Sequence, residues 1–169
     1  MSDPRATLDR LTVSPGLTYD EMVTRFEKTV PPLPVAQLAA AVRSKPFKDV
    51  KALLVNASPV SLFIFYALDA TPFMTKAGHS AKCKTYLMGN PLVAETMYGY
   101  NAGVMLHAPL RTAIFTDDFG KAHLTIDRPS DPFGSFDEAH IAATGHTLDQ
   151  TLSLLLQHLK FPVPAELAA

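Results

Sequence analysis

The sequence of 169 residues predicts a single α+β domain, with elements in the order helix, helix, strand, strand, helix, hairpin, helix. Three observations predict this fold class. Helix-start signals precede segments whose apolar residues recur at helical spacing. Two apolar, strand-like runs are bounded by residues that interrupt regular structure. In two later segments, apolar and polar residues alternate, which indicates an antiparallel hairpin.

The first 17 residues are polar and contain the breaker Pro15-Gly16, so we expect a flexible leader there. Thr18 and Glu21 then form a capping-box pattern, in which a hydroxyl and a carboxylate each bind a backbone N–H at a helix start. Apolar residues follow at helical spacing until a proline-rich stretch ends the helix. A second short amphipathic helix begins at Val35.

Two apolar runs in the middle of the chain predict strands. Val60–Leu68 is rich in aromatic and branched residues on both alternating faces, which favours a central strand covered on both sides or at a dimer contact. Lys82–Met88 forms the next strand. Asn90 then suits a helix N-cap, and Pro91 suits the first helical position, where no N–H is needed.

The last third of the chain predicts a hairpin and a long helix. Leu110–Thr116 and Lys121–Asp127 flank a turn that ends in Gly120, and a three-residue loop places all their apolar residues on one face. A two-residue loop would instead place apolar residues of one strand on the same face as polar residues of the other. The final helix begins at Thr147, with Gln150 completing a second capping box. We expect one domain over residues 18–161 and a tail over 162–169.

Composition narrows the class of protein. Hydrophobic residues make up 47% and charged residues 18%, and the net charge is −1, so the chain is globular and lacks a basic field for nucleic acid. No apolar run is long enough to span a membrane. Cys83 is the only cysteine and no secretory signal is recognisable, so we expect a cytoplasmic protein.

Arg111 and Asp127 face each other across the predicted hairpin. They form either a structural cross-strand ion pair or a ligand site in which Asp127 positions the guanidinium for a carboxylate or phosphate. Asn90 marks a helix N-terminus that either is simply capped or binds an anion. Glu95 and Asp69 are candidate acid–base groups if they line a cleft.

His79 and Cys83 are the only closely spaced histidine and cysteine, and two ligand types at this spacing are too few to specify a metal or haem. We therefore predict no cofactor. Cys83 as a nucleophile would need a lowered pKa, but the neighbouring lysines, Lys82 and Lys84, would point to the opposite face of the strand. The sequence supports no Ser/His/Asp triad.

A set of short motifs resembles domain-of-unknown-function family 302, in particular a bacterial branch with an extended N-terminal half. The resemblance covers roughly residues 55–160. Its motifs are Leu68-Asp69, Ala77-Gly78, Cys83, Tyr86 to Asn90, Ala94-Glu95, Leu106, Ala108 to Arg111, Gly120, Asp127, Pro129-Ser130 and Leu148-Asp149. The chain carries Arg128 where relatives often have another polar residue, so no base-type role is assigned there.

The resemblance implies a curved antiparallel sheet of about four strands with helices packed on one face, as in the TATA-binding-protein-like class, and a homodimer. It implies no activity. Our leading hypothesis is a small anionic or partly apolar ligand bound between sheet and helices. The alternatives are an enzyme in which Glu95 or Asp69 acts with Arg111, and a structural or partner-binding module. The candidate ligand-binding residues are Arg111, Asp127, Asn90, Glu95, Asp69 and Cys83.

Overall fold

The computed structural model describes residues 7–167, which fold as the predicted α+β domain. The strands are β1 (Arg10–Val13), β2 (Phe63–Asp69), β3 (Cys83–Gly89), β4 (Leu110–Thr116) and β5 (Ala122–Asp127). The helices are α1 (Tyr19–Thr29), α2 (Val35–Ser44), α3 (Phe47–Val55), α4 (Thr71–Lys76), α5 (Pro91–Tyr98), α6 (Ser130–Gly134) and α7 (Ala139–His158). Short 3₁₀ turns occupy Ala102–Leu106 and Ala165–Leu167.

The five strands form one antiparallel sheet in the order β1-β5-β4-β3-β2. The sequence predicted about four strands because β1 lies inside the expected leader. β1 pairs with β5 from Arg10 opposite Asp127 to Val13 opposite Leu124. It escaped prediction because it has only four residues and two buried apolar side chains. Residues 1–6 of the expected leader lie outside the described residues.

The β4–β5 hairpin has the predicted register, with Thr112 opposite Ile126 and Phe115 opposite His123. Its turn is closed by two backbone bonds, from Gly120 N to Asp117 O and from Asp117 N to Lys121 O, both 2.9 Å. Gly120 has a φ of +76°, the left-handed conformation that the predicted loop requires.

Both N-terminal capping predictions are confirmed at α1 and α5. At α1 the Thr18 side chain accepts from Glu21 N, while the Glu21 side chain accepts from Thr18 N. At α5 the Asn90 side chain accepts from Leu92 N, and proline occupies the start of the helix. The strand-to-helix corner at residues 89–91 is therefore an ordinary capped helix start.

Other predictions of element type or position were wrong. β2 begins at Phe63 and lies at the sheet edge, although Val60–Leu68 was expected to be central. The helices α3, α4 and α6 were missed. α7 begins at Ala139, capped by Glu138, so Thr147 is in the helix interior, where its hydroxyl donates to Ala143 O. Of the expected tail, the structure describes residues 162–167, in which Leu167 is buried, and residues 168 and 169 lie outside the described part of the chain.

The sheet packs its apolar side chains against helices on one face, as predicted. Alternate residues of β1, β4 and β5 and the second half of β3 are buried there, including Leu11, Tyr86, Leu110, Ile114 and Leu124, whereas Tyr66–Asp69 of the edge strand β2 are exposed. The remaining alternate positions lie on the other face, which we call the open face. The open-face residues include Arg10, Thr12, Tyr66, Leu68, Thr85, Leu87, Arg111, Phe115, His123 and Asp127. No helix in the described part of the chain is long and apolar enough to cross a membrane.

Candidate functional site

An apolar cavity of about 300 Å³ lies where the ends of β3 and β4 meet α5, α6 and α7. We call it the apolar cavity. Its walls include Phe65, Met97, Tyr98, Leu110, Phe133 and Leu148. Its position between the sheet and the helices agrees with the cleft that the sequence hypothesis required, and its volume is at the lower end of small-molecule sites.

Two of the predicted site residues, Asn90 and Glu95, line the apolar cavity. The Asn90 side chain is already occupied, because Nδ2 donates to Ser61 O (3.0 Å) and Oδ1 accepts from Leu92 N (2.9 Å). Its role is therefore to hold the cavity wall by capping α5. Glu95 lines the cavity but is exposed, so it lies at the rim.

Arg111 and Asp127 line other concavities. Both border a groove of about 380 Å³ on the open face. Both also border a second cavity, of about 520 Å³, around the start of β4, which we call the arginine cavity. The predicted site residues therefore lie in two places. Asn90 and Glu95 line the apolar cavity between sheet and helices, whereas Arg111 and Asp127 border the open-face groove and the arginine cavity.

The ion pairs formed within residues 7–167 do not include the predicted one between Arg111 and Asp127. They also leave the exposed Arg111 guanidinium without a carboxylate within 4.0 Å in that part of the chain. The interpretation of this pair as a structural ion pair is therefore not supported within residues 7–167.

Asp69 and Cys83 meet at the end of β2, where Thr71 connects them. Asp69 Oδ1 accepts from Thr71 N (2.9 Å), and Thr71 Oγ1 accepts from Cys83 N (3.0 Å). Hydrogen bonding from the Thr71 side chain holds the pKa of Asp69 below its usual value. Burial, followed by the charge of Asp69, raises the pKa of the Cys83 thiol. These directions oppose an acid role for Asp69 and a nucleophilic role for Cys83.

His79 and Cys83 gain no further ligands from the fold. Across the described residues, no group of three or more His, Cys, Asp or Glu side chains is placed to hold a metal ion. His79 itself is exposed in the loop between α4 and β3.

A chain of Ser14, His123 and Asp117 was not predicted from the sequence. His123 Nδ1 lies 2.6 Å from Ser14 Oγ, and Nε2 lies 2.9 Å from Asp117 Oδ2. Because the carboxylate accepts, Nε2 donates to Asp117, and Nδ1 shares a hydrogen bond with the Ser14 hydroxyl. The three side chains join the segment after β1, strand β5 and the hairpin turn. No sequence signal links them, since the pairing of β1 with β5 brings Ser14 to His123.

Two of the short motifs meet in the core. Asp149 Oδ1 accepts from the buried Ser130 N (2.9 Å), so a carboxylate in the middle of α7 binds the start of α6. A Cβ at Gly145 would come within 3.0 Å of Phe133 Cβ and of Ser130 Cα, which shows how closely the two helices approach. The Pro129-Ser130 and Leu148-Asp149 motifs therefore build the wall that carries Phe133 and Leu148 into the apolar cavity.

Comparisons with known proteins agree with this fold. The family model of DUF302, a domain of unknown function, matches residues 39–159. The crystal structure of an uncharacterized conserved DUF302 protein from Bacillus stearothermophilus superposes with a TM-score of 0.63 and 13% identity, covering 89% of this chain and 97% of that chain. No curated protein matches the sequence.

The chain therefore belongs to the DUF302 family. The family membership confirms the sequence-based assignment, and the matched segment begins earlier than the expected start near residue 55. At 13% identity the structural likeness is evidence for the fold and for nothing more.

Proposed function

We propose that this protein binds a small, predominantly apolar ligand in the apolar cavity. The observation that carries the proposal is the composition of the walls. Apart from Asn90, which is committed to its cap, and Glu95 at the rim, the lining consists of aromatic, aliphatic, methionine, proline and glycine residues. A concave site of this kind gains affinity by removing apolar ligand surface from water.

The same geometry favours binding over acid–base catalysis. The enzyme alternative needed Arg111 beside Glu95 or Asp69. Glu95 lines the apolar cavity and Arg111 does not, while Asp69 is bound by Thr71 at a strand end and has a lowered pKa. A general acid needs a pKa shifted in the opposite direction.

The test replaces a small residue that lines the cavity with a larger one, so that the new side chain fills part of the cavity. Ala94 lies in α5, is half-buried and lines the cavity. With 1-decanol as the probe, we expect wild type at ten times Kd to gain about 1.4 kcal/mol, or roughly 3–6 °C in Tm. Ala94→Leu should abolish that gain because its three added carbons occupy the space that the probe needs.

Ala143→Leu is the matched control, because it adds the same carbons at an exposed position of α7. It should keep the full thermal shift. The proposal is wrong if wild type shows no saturable decanol binding in calorimetry, or if Ala94→Leu binds as tightly as the control.

We further propose that two copies associate through the free edge of β2. At the start of this strand, Ile64 N donates to Pro31 O (2.9 Å) and Ile64 O accepts from Leu33 N (2.8 Å). Ala70 N–H points to Cys83 O, so alternation directs the backbone groups of Ala67 away from β3. On the open face beside this edge, Tyr66 and Leu68 are 55% and 49% exposed.

A second copy fits this edge because two β2 strands can pair antiparallel about a two-fold axis, which satisfies the same backbone groups on both chains. The pairing would also bring Tyr66 and Leu68 beside their copies.

For the location of the protein we propose the cytoplasm, which fits its single, unpaired cysteine.

A further inference from the structure

The apolar cavity and the arginine cavity share a wall. Met105, Pro109 and Leu110 line both of them. The two spaces, of about 300 and 520 Å³, therefore adjoin at the start of β4, where the chain enters the sheet. A ligand longer than the apolar cavity would reach the arginine cavity by passing this shared wall.

The alternation of β4 places a charged side chain next to an apolar one where the two cavities meet. Leu110 is buried and borders the apolar cavity, whereas Arg111, the next residue, is exposed on the open face. Consecutive side chains of a strand point to opposite faces, and their Cα atoms are about 3.8 Å apart. Leu110 and Arg111 therefore place an apolar side chain and a guanidinium on opposite faces of the sheet at the start of β4.

The charges of the arginine cavity favour an anion through Arg111 and oppose it through Asp127. The guanidinium has no carboxylate partner in the described part of the chain, and exposed Arg10 borders the same open-face groove from β1, on the other side of Asp127. His107 also lines the cavity, and burial, followed by the charge of Arg111, lowers the pKa of its ring. Arg111 and His107 therefore border the same cavity, and protonation of His107 there is opposed by burial and by the charge of Arg111.

We propose that the ligand is an amphipathic monocarboxylate, with its hydrocarbon part in the apolar cavity and its carboxylate on Arg111. This inference rests on the proposed function, because it extends that ligand from one cavity to the next. Arginine suits the carboxylate because its planar fork donates two parallel hydrogen bonds. Asp127 limits the affinity through repulsion, and Met105 and Pro109 provide the apolar path between the two ends.

The experiment compares two probes with the same chain, decanoate and 1-decanol, by calorimetry at pH 7.5 and below their aggregation limits. Wild type should bind decanoate about tenfold more tightly than decanol, as expected for one charge-assisted contact. Arg111→Gln should remove this preference and leave the affinity for decanol unchanged. Asp127→Asn should strengthen decanoate binding severalfold, because it removes a negative charge beside the carboxylate.

Arg43→Gln serves as the control for net charge, since Arg43 is exposed on α2 and borders none of these cavities. It should leave both affinities unchanged. Equal binding of the two probes, or a decanoate preference that survives Arg111→Gln, would overturn this inference while the apolar site stands. Failure of decanol to bind wild type would instead remove the proposed function itself. Decanoate binding that is unaffected by Ala94→Leu would show headgroup binding alone and would also overturn the inference.

Discussion

Asp149 is the residue with the clearest structural assignment in the C-terminal half of the molecule. It is only 7% exposed, and its Oδ1 accepts from the buried N–H of Ser130. A buried N–H that loses its acceptor costs more than the hydrogen bond itself contributed, because neither water nor protein then binds it. This residue therefore holds α6 against α7, and with it the Phe133 and Leu148 side of the apolar cavity.

Asp149→Ala should lower the free energy of unfolding by about 1–3 kcal/mol, because Ser130 N–H stays buried without a partner. Urea denaturation measures this change. Asp149→Asn retains an acceptor oxygen and should lose much less stability. Gln150→Ala, at the exposed neighbouring position, should stay within about 0.5 kcal/mol of wild type. Equal stability of Asp149→Ala and wild type would show that Asp149 does not hold the two helices.

At the scale of elements, the β4–β5 hairpin depends on one carboxylate. Asp117 Oδ1 accepts from Phe119 N (3.0 Å) and Lys121 N (2.9 Å), while Oδ2 bonds His123. The hydrogen bond from His123, followed by the backbone bonds, holds the pKa of Asp117 below its usual value. Because His123 also bonds Ser14, the same carboxylate connects the turn to the end of β1.

A lowered carboxyl pKa gives the hairpin a defined pH dependence. The contribution is complete above the ordinary pKa of 3.8 and disappears as the pH falls through the lowered folded-state pKa. Asp117→Asn should therefore be less stable than wild type at pH 7, and the difference should shrink toward zero in strong acid. Urea denaturation across a pH series measures it. Asp118→Asn, at the exposed neighbouring position, is the control, and a pH-independent difference would contradict the assignment.

At the scale of the whole molecule, the sheet has one face covered by helices and one open face. Within residues 7–167, the outer edge of β2 is unpaired beyond Ile64. Soluble proteins usually protect such edges with charge, proline, bulges or a partner. β2 contains a register shift between Ile64 and Tyr66, but its exposed residues beyond that shift are largely apolar. These features underlie the proposed two-fold association.

The double variant Tyr66→Lys/Leu68→Lys should convert a wild-type dimer into a monomer, because like charges would meet across the proposed edge. Sedimentation velocity at tens of micromolar protein measures the change. Val42→Lys places a charge on an equally exposed apolar position of α2, at 64% exposure, and should leave the dimer intact. A monomeric wild type, or a double variant that still dimerises, would exclude association through β2.

The sequence by itself determined the elements whose signals are local. The capping box at Thr18, the Asn90-Pro91 helix start and the register of the hairpin each depend on residues that are near neighbours in the chain. The family, and with it the α+β class, followed from short motifs in the same way.

Only the tertiary structure decided which of these motifs share a site. It showed that β1 belongs to the sheet, that β2 lies at the edge, and that α7 begins before Thr147, at Ala139. It also placed Glu95 in the apolar cavity and Arg111 in the adjoining one. The physical reason is that strand order and cavity walls depend on contacts between residues far apart in the chain, whose partners no local spacing records.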